Sequence, residues 1–103
     1  MRLVGSEMCI RDRSKRAQHE VAKIYSYWTL RNRSDRYALK LSILFRAAME
    51  AASAVPTSGK PTNLKNVRYR IVEKYKLYYR IKRDSITVIT VWDGRRNPTT
   101  LKF

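Results

Sequence analysis

The sequence has few of the residues on which several classes of protein depend. Its one cysteine, Cys9, can form neither an internal disulfide nor a zinc site with paired thiolates. Its three glycines form no phosphate-binding loop, and its one histidine, His19, lies on the polar side of a predicted helix, where it can join no hydrolase triad. No apolar run approaches the roughly 20 residues of a transmembrane helix, and residues 1–13 lack the apolar segment of a signal peptide. We therefore expect a cytoplasmic protein with no metal and no cofactor.

Acidic residues are also scarce, and this scarcity is informative about partners. The 103 residues suit one domain and include 23 Lys and Arg against 8 Asp and Glu, which gives a formal net charge of +15. That charge is larger than solubility alone requires of a small domain. An anionic partner is indicated, and nucleic acid, an acidic protein segment and an anionic membrane surface all satisfy this condition.

The N-terminus differs from the rest of the chain. Residues 4–13, VGSEMCIRDR, resemble the translation of sequencing-adapter DNA, a contaminant of assembled reading frames. We therefore predict a non-native N-terminus over residues 1–13 and a single domain over residues 14–103.

Helical periodicity begins directly after this segment. The spacing predicts a first helix over 15–31 with Ser14 as N-cap, and a second helix capped by Ser34 and ended by Pro56. The predicted apolar stripes are Ala17, Val21, Ile24, Tyr25 and Trp28, and then Tyr37, Leu41, Leu44, Phe45, Ala48, Ala52 and Val55. The two helices should form an antiparallel hairpin, followed by a loop containing TSGKPTN.

After Asn66 the apolar period changes to two, which is typical of strands. Two strands joined by a turn near Glu73 should lead into a third, Ser85 to Trp92, which is apolar enough to be central and covered on both faces. The fold class is therefore α+β, with the helix hairpin packed on a small antiparallel sheet of three to four strands.

The alternation also predicts a cationic sheet face. If the apolar residues of the first two strands face the helices, the opposite face carries Arg68, Arg70, Lys76, Tyr78, Arg80 and Lys82. Arginine forks bind phosphate bidentately and a tyrosine can stack on a base, so this face would suit nucleic acid. A solvated strand face of no special function would have the same pattern.

Several segments together resemble the RelE/ParE superfamily of toxins from bacterial type II toxin-antitoxin systems. They are YYRIKRDSITVITVWDGRRNP at residues 78–98, SKRAQHEVAKIYSYW at 14–28, and GKP followed by NVRYRIVEKYKLYYRI at 59–61 and 66–81. In this family a short first strand precedes the first helix, and here the adapter-like segment takes its place. We expect a weak strand there, because a ladder of backbone hydrogen bonds depends little on side-chain identity.

The resemblance implies a growth-inhibiting toxin that a cognate antitoxin neutralises in a hetero-oligomer. The antitoxin's acidic, amphipathic segment would cover the target-binding surface, and Tyr27, Leu30, Ile43 and Met49, which lie off the apolar stripes, are the residues expected to be exposed for docking. The family contains ParE-like members that poison DNA gyrase and RelE-like members that cut messenger RNA on the ribosome. Whether this chain is an enzyme depends on which branch it follows.

The site residues differ between the two branches. For a ribonuclease, Lys76 with a lowered pKa and Arg70 would be the catalytic residues, since both match positions that are basic in the RNA-cutting relatives. Where some of those relatives carry a His-Tyr pair, however, this chain has DGRR, residues 93–96. We therefore favour the ParE-like branch, in which target binding is assigned to Arg68, Arg70, Lys76, Tyr78, Arg80, Arg95 and Arg96, and keep the ribonuclease as the alternative. A small basic nucleic-acid-binding protein is a remote third hypothesis, because the chain has no RNA-binding signature motif.

Overall fold

The computed structural model describes the backbone of residues 9–10, residues 13–95 and residue 101. Helix α1 spans Lys15–Asn32, helix α2 spans Arg36–Ala54, and a 3-10 helix follows at Pro56–Ser58. The strands are β1 (Cys9–Ile10), β2 (Lys60–Pro61), β3 (Val67–Val72), β4 (Tyr75–Ile81) and β5 (Ser85–Asp93). The predicted α+β class, a helix hairpin on a small antiparallel sheet, is confirmed.

A hydroxyl group caps the first helix, whereas the N-cap of the second helix is not the serine that was predicted. Ser14 Oγ accepts a hydrogen bond from the Ala17 N–H at 3.1 Å and so satisfies a donor in the first turn of α1. The N-cap of α2 is Asp35, whose side chain makes no capping hydrogen bond. Ser34, predicted as the cap, precedes it and accepts from the Arg36 N–H at 3.2 Å. The prediction was therefore one residue early, although the Ser34 hydroxyl still satisfies the start of α2.

The sheet has the strand order β1-β5-β4-β3-β2. Strands β2 to β5 are antiparallel, and β1 pairs parallel with β5 through Cys9–Ser85 and Ile10–Ile86. The weak strand expected in the adapter-like segment is thus present as a two-residue edge. Lys60 and Pro61, predicted as loop, instead pair with Tyr69 and Arg68.

The main core lies between the helices and the sheet. Ala17 and Val21 of α1 and Leu41, Phe45 and Ala52 of α2 are buried in one cluster. The sheet contributes Val72, Tyr75, Leu77, Tyr79, Ile86, Val88 and Val91 to the same cluster. The other predicted stripe residues pack against it except Val55, which is exposed because α2 ends at Ala54.

The sheet face opposite the helices, here called the far face, carries a second apolar cluster. Val67, Tyr78 and Trp92 are buried there, and Tyr69, Ile89 and Leu101 pack against them. Strand β5 contributes to both clusters, so the prediction that it is covered on both faces is confirmed, but within the described residues β1 flanks it only at Ser85 and Ile86, so it is central over only part of its length. The far face is therefore not the uniformly cationic surface that the sequence suggested.

Three of the four side chains expected to be exposed for docking are exposed. Tyr27 and Leu30 of α1 and Ile43 of α2 are all more than half accessible. Met49 is partly buried against the main core, so its prediction was wrong. Among the described residues, neither helix is apolar enough over its length to cross a membrane.

Candidate target-binding site

The end of β5 presents an arginine whose orientation is set by a neighbouring carboxylate. Asp93 Oδ1 accepts hydrogen bonds from the Arg95 backbone N–H at 2.9 Å and from Nε at 3.1 Å, and Oδ2 accepts from Nη2 at 2.8 Å. The guanidinium is thus held by a bidentate ion pair, a geometry that fixes its orientation. The side chain of Arg95 nevertheless remains 64% exposed. We call Asp93, Gly94 and Arg95 the rim.

The electrostatics of the rim keep Asp93 ionised. The hydrogen bonds from the Arg95 side chain lower the pKa of Asp93 below its ordinary value, against a smaller opposing effect of burial. The same hydrogen bonds raise the pKa of Arg95, so it stays a cation. A carboxyl group with a lowered pKa is a poor proton donor at neutral pH, which leaves the rim suited to recognition rather than to acid catalysis.

The rim is attached to both neighbouring layers of the fold. The Gly94 N–H donates to the Lys74 carbonyl at 2.7 Å, and a Cβ at Gly94 would lie 2.9 Å from that oxygen, so the sequence needs glycine here for close approach. Lys74 Nζ lies 4.3 Å from the centroid of the Trp28 ring, and Trp28 Nε1 donates to the Tyr75 hydroxyl at 2.7 Å. The rim, the β3–β4 turn and α1 are therefore linked by direct contacts.

A groove of about 420 Å³ separates α1 from the end of β5. Its lining combines apolar, aromatic and charged side chains: Glu20, Lys23, Ile24, Tyr27, Tyr75, Val91, Asp93 and Arg95. Glu20 Oε1 accepts from the Val91 N–H at 3.0 Å and from the Thr90 hydroxyl at 2.8 Å. Because β1 pairs with β5 at Ser85 and Ile86, Glu20 covers part of the β5 edge that lies beyond β1.

The predicted cationic face does not exist as a single surface. Val72 pairs with Tyr75 across a two-residue turn, so even-numbered residues of β3 lie opposite odd-numbered residues of β4. Paired residues share a face, and therefore Arg68 and Arg70 lie on the helix side with Leu77 and Tyr79. Lys76, Tyr78 and Arg80 lie on the far face with Val67, Tyr69 and Ile71. The prediction placed them together because it treated each strand's pattern separately and ignored the length of the turn.

The two halves of the predicted set have different surroundings. Arg68 Nη1 donates to the Gly59 carbonyl and Arg70 Nη1 to the Ser58 hydroxyl, each at 2.8 Å, so both arginines reach the loop after α2. On the far face Lys76 Nζ lies 5.2 Å from the centroid of the Tyr69 ring. Arg70 therefore does not crowd Lys76, and the lysine environment expected for a ribonuclease base is not formed by this pair.

The aromatic residue on the far face was assigned to the wrong tyrosine. Tyr78 is 5% exposed and packs at a ring distance of 5.2 Å from Tyr69, which is the more accessible of the two. A buried Tyr78 cannot stack on a base, so its predicted stacking role was wrong. Counting residues through the Glu73–Lys74 turn would have placed Tyr69 beside Lys76.

Arg80 and Lys82 are exposed, and His19 is exposed on α1, as its position on the polar side predicted. Arg96 and Pro98 lie outside the described residues. No group of His, Cys, Asp and Glu suited to a metal ion is found within the described part of the chain.

Comparison with known proteins identifies the family. The model of the family described as the ParE toxin of type II toxin-antitoxin system, parDE, matches residues 12–98. Among solved structures, the chain is similar to one described as the chromosomal ParDE TA system from P. aeruginosa, with 17% sequence identity and a TM-score of 0.71. That match covers 86% of this chain and 98% of the other, and at this identity it shows a shared fold. The comparison with curated proteins gave no significant match. The chain belongs to the ParE toxin family of type II toxin-antitoxin systems, in which the toxin has a cognate antitoxin as its partner.

Proposed function

We propose that this toxin inhibits growth by acting on DNA gyrase in the cytoplasm and does not itself cut nucleic acid. The observation that carries the proposal is the separation of the two residues that a ribonuclease would need together. Arg70 lies on the helix side of β3, and Lys76 lies on the far face of β4. Membership of the ParE family points in the same direction.

The chemistry of RNA cleavage explains why this separation matters. Cleavage without a metal needs a base for the ribose 2′-hydroxyl, an acid for the leaving oxygen and cations around the phosphorane, all within hydrogen-bond reach of one another. Here Arg70 is bonded to Ser58, Lys76 lies over Tyr69, and Asp93 is held ionised by Arg95. The residues proposed for catalysis thus lie in different surroundings and do not converge.

Target recognition is assigned to the rim and, as a second surface, to the far face. Arg95 and Arg96 are the proposed principal contacts, because Asp93 fixes the Arg95 fork while leaving it exposed. Lys76 and Arg80 supply further charge on the far face, and Tyr78 supports Tyr69 from beneath. Arg68 and Arg70 form a separate cationic region on the other side of the sheet.

Antitoxin binding is assigned to the groove beside α1. Tyr27 and Leu30 are exposed along this side of α1, and Lys23 and Arg95 provide cations near them. An acidic amphipathic segment would bury the apolar side chains and pair with the cations, which suits the charge of +15. Because Arg95 lines the groove, an antitoxin bound there would also cover the rim and so neutralise the toxin.

The domain of this function is residues 14–103. The family match begins at residue 12, which supports the interpretation of residues 1–13 as a non-native, adapter-like segment. Replacing residues 1–13 by a native first strand of an alternating apolar pattern should raise the thermal midpoint and leave toxicity unchanged.

The test is a gyrase supercoiling assay run beside ribosome-dependent cleavage of messenger RNA, both with the purified toxin. We expect inhibition of supercoiling that the antitoxin relieves, and intact messenger RNA. Cleavage that is lost on Lys76→Ala, together with normal supercoiling, would reject the proposal and establish the RelE-like alternative.

The docking surface has its own test. Leu30→Glu should weaken antitoxin binding, because it places a like charge where an acidic segment is proposed to lie. The matched control is Leu64→Glu, which changes an exposed leucine in the loop before β3. Equal losses for the two variants in a binding titration would mean that the groove is not the docking surface.

A further inference from the structure

The segment between the end of α2 and the β3–β4 turn carries charge of one sign only. From Ala51 to Val72 the sequence contains Lys60, Lys65, Arg68 and Arg70, and no Asp or Glu. Glu50 and Glu73 lie just outside its two ends. Any anion that balances these cations must come from elsewhere in the fold or from another molecule.

Two of these cations converge on adjacent residues of the loop. Arg68 and Arg70 lie on one face of β3, two residues and so about 7 Å apart along the strand. Arg68 Nη1 donates to the Gly59 carbonyl, and Arg70 Nη1 donates to the Ser58 hydroxyl, both at 2.8 Å. Both acceptors are neutral, and within residues 13–95 neither arginine lies within ion-pair distance of a carboxylate. The two positive charges are therefore brought together without a compensating negative charge.

The loop that contacts this pair of arginines packs against a buried tyrosine. The Tyr79 side chain is fully buried, and its hydroxyl donates to the Pro56 carbonyl at 2.5 Å. A Cβ at Gly59 would lie 2.2 Å from that hydroxyl, so glycine is required for the loop to approach it. Burial raises the pKa of Tyr79, while the hydrogen bond with the Gly59 backbone and the charges of Arg70 and Arg68 act in the opposite direction.

Within the part of the chain that the structure describes, most N–H donors of the pair are unused. A guanidinium has five N–H donors in a planar fork, and each of these contacts uses Nη1 alone. Ser58 is exposed and Arg70 is partly accessible, so an anion can reach the pair from solvent. An arginine pair fixed at its inner end by neutral acceptors and open at its outer end is preorganised for bidentate contact with phosphate.

We propose that Arg68 and Arg70, held by Ser58 and Gly59, form a binding site for the phosphodiester backbone of a nucleic acid. A polyanion is favoured over a single carboxylate because two guanidinium groups about 7 Å apart along β3 can each bind a separate phosphate. The identity of the bound nucleic acid rests on the proposed function. If the toxin acts on gyrase, the phosphodiester is that of the DNA which gyrase holds. The rim then contacts the protein target while this site contacts the DNA.

The test measures nucleic-acid binding by the whole toxin, separately from gyrase. Labelled duplex DNA and single-stranded RNA of equal length are titrated with wild-type protein and with the double variant Arg68→Gln, Arg70→Gln. Glutamine removes the two charges and keeps a polar side chain, but it is two bonds shorter than arginine, so the contacts with the Gly59 carbonyl and the Ser58 hydroxyl are lost as well and the thermal midpoint of the variant is measured alongside. We expect DNA affinity to fall by about tenfold or more, and the dependence of log affinity on log salt to become shallower by about one to two.

The matched control removes the same charge elsewhere. Lys82→Gln, Arg83→Gln changes two exposed cations in the β4–β5 turn and should weaken DNA binding by less than about threefold. Equal losses in the two double variants, with both folded by circular dichroism, would overturn the site in favour of general charge attraction. A polyglutamate peptide that binds through Arg68 and Arg70 more tightly than DNA would overturn it in favour of an acidic protein segment.

The remaining outcomes separate the site from the proposed function. The toxin could bind RNA but not duplex DNA and lose RNA binding in the Arg68 and Arg70 variant. This result would support the phosphodiester site and show that its ligand is RNA, not DNA. Binding to DNA through these arginines without inhibition of gyrase would support the site and reject the gyrase proposal.

Discussion

The two arginine-rich regions of this toxin differ in the atoms that hold their guanidinium groups. At the rim, Arg95 is held by the carboxylate of Asp93, and nearby Lys40 lies 3.8 Å from Glu73. Beside the loop after α2, Arg68 and Arg70 meet a carbonyl and a hydroxyl. The rim therefore presents an oriented arginine of reduced net charge, whereas the loop region presents two charges that no carboxylate of residues 13–95 pairs with.

This difference has consequences for how strongly each region depends on the fold. Arg95 belongs to a surface turn, and its ion pair with Asp93 is local in sequence. Arg68 and Arg70 rest on a loop that is seated on the buried Tyr79. Changes beneath the loop should therefore unfold the protein, while changes at the rim should alter recognition and leave the fold intact.

The largest effect is expected for Tyr79→Ala. This change removes a fully buried aromatic ring and the hydroxyl that bonds to Pro56, so unfolding should become easier by roughly 3 to 5 kcal/mol. Chemical denaturation measures the loss. Tyr79→Phe keeps the ring and should cost about 1 kcal/mol; a loss as large as that of the alanine variant would show that the hydroxyl, not the ring, holds the loop.

A smaller loss is expected for Gly59→Ala, because the new Cβ would collide with the Tyr79 hydroxyl. Overpacking of this kind costs about 1 to 3 kcal/mol. The collision can be isolated in a double-mutant cycle, since Tyr79→Phe removes the oxygen that the new methyl group meets at 2.2 Å. If the losses in unfolding free energy of the two single variants are strictly additive, the loop moves away from the new methyl group and its contact with Tyr79 is not rigid.

A still smaller and pH-dependent effect is expected for Asp93→Asn. The pKa of Asp93 is lowered in the folded protein, so the ion pair stabilises the fold at pH values above the ordinary value of 3.8 and this contribution disappears as pH falls below it. The thermal midpoints of wild type and variant should differ slightly at neutral pH and converge as the pH falls through the lowered pKa of Asp93. Because Arg95 is largely exposed, the difference should also shrink in high salt. A gap that widens on acidification would contradict the sign of this linkage.

How far the sequence predicted this molecule is clear from particular elements. Both helices, the Ser14 cap and the buried β5 followed from periodicity and turn residues, because those signals are local. The resemblance of residues 78–98 to the toxin family supplied the class, and the family match confirms it. The weak strand at Cys9–Ile10 was anticipated because its pairing uses backbone atoms.

What could not be predicted depended on register. A turn of two residues between Val72 and Tyr75 reverses the faces of β3 relative to β4, and each strand's alternation is compatible with either arrangement. Arg68 and Arg70 were therefore placed beside Lys76, and the apolar residues that alternate with them in β3 were expected to face the helices. The contacts of Arg68 with Gly59 and of Arg70 with Ser58 join residues from the loop and β3, and no local pattern encodes them.

The smallest effect on stability, and a complete effect on function, is expected when Arg95 and Arg96 are both replaced by alanine. Arg95 lies in an exposed turn, and water can hydrate the Asp93 carboxylate once the arginine is removed. The thermal midpoint of the toxin without antitoxin should therefore stay close to that of wild type. Growth inhibition should nevertheless be lost, because the oriented fork at the rim is the proposed contact with the target. Lys82→Ala, Arg83→Ala removes the same charge from another exposed turn and should remain toxic. If the rim variant is folded and still toxic when expressed without antitoxin, the target-binding residues must lie elsewhere, and Lys76 with Arg80 on the far face is the next surface to change. If it unfolds instead, the ion pair with Asp93 is needed for folding. The expected difference, in which changes at the rim alter recognition and changes beneath the loop unfold the protein, then does not hold.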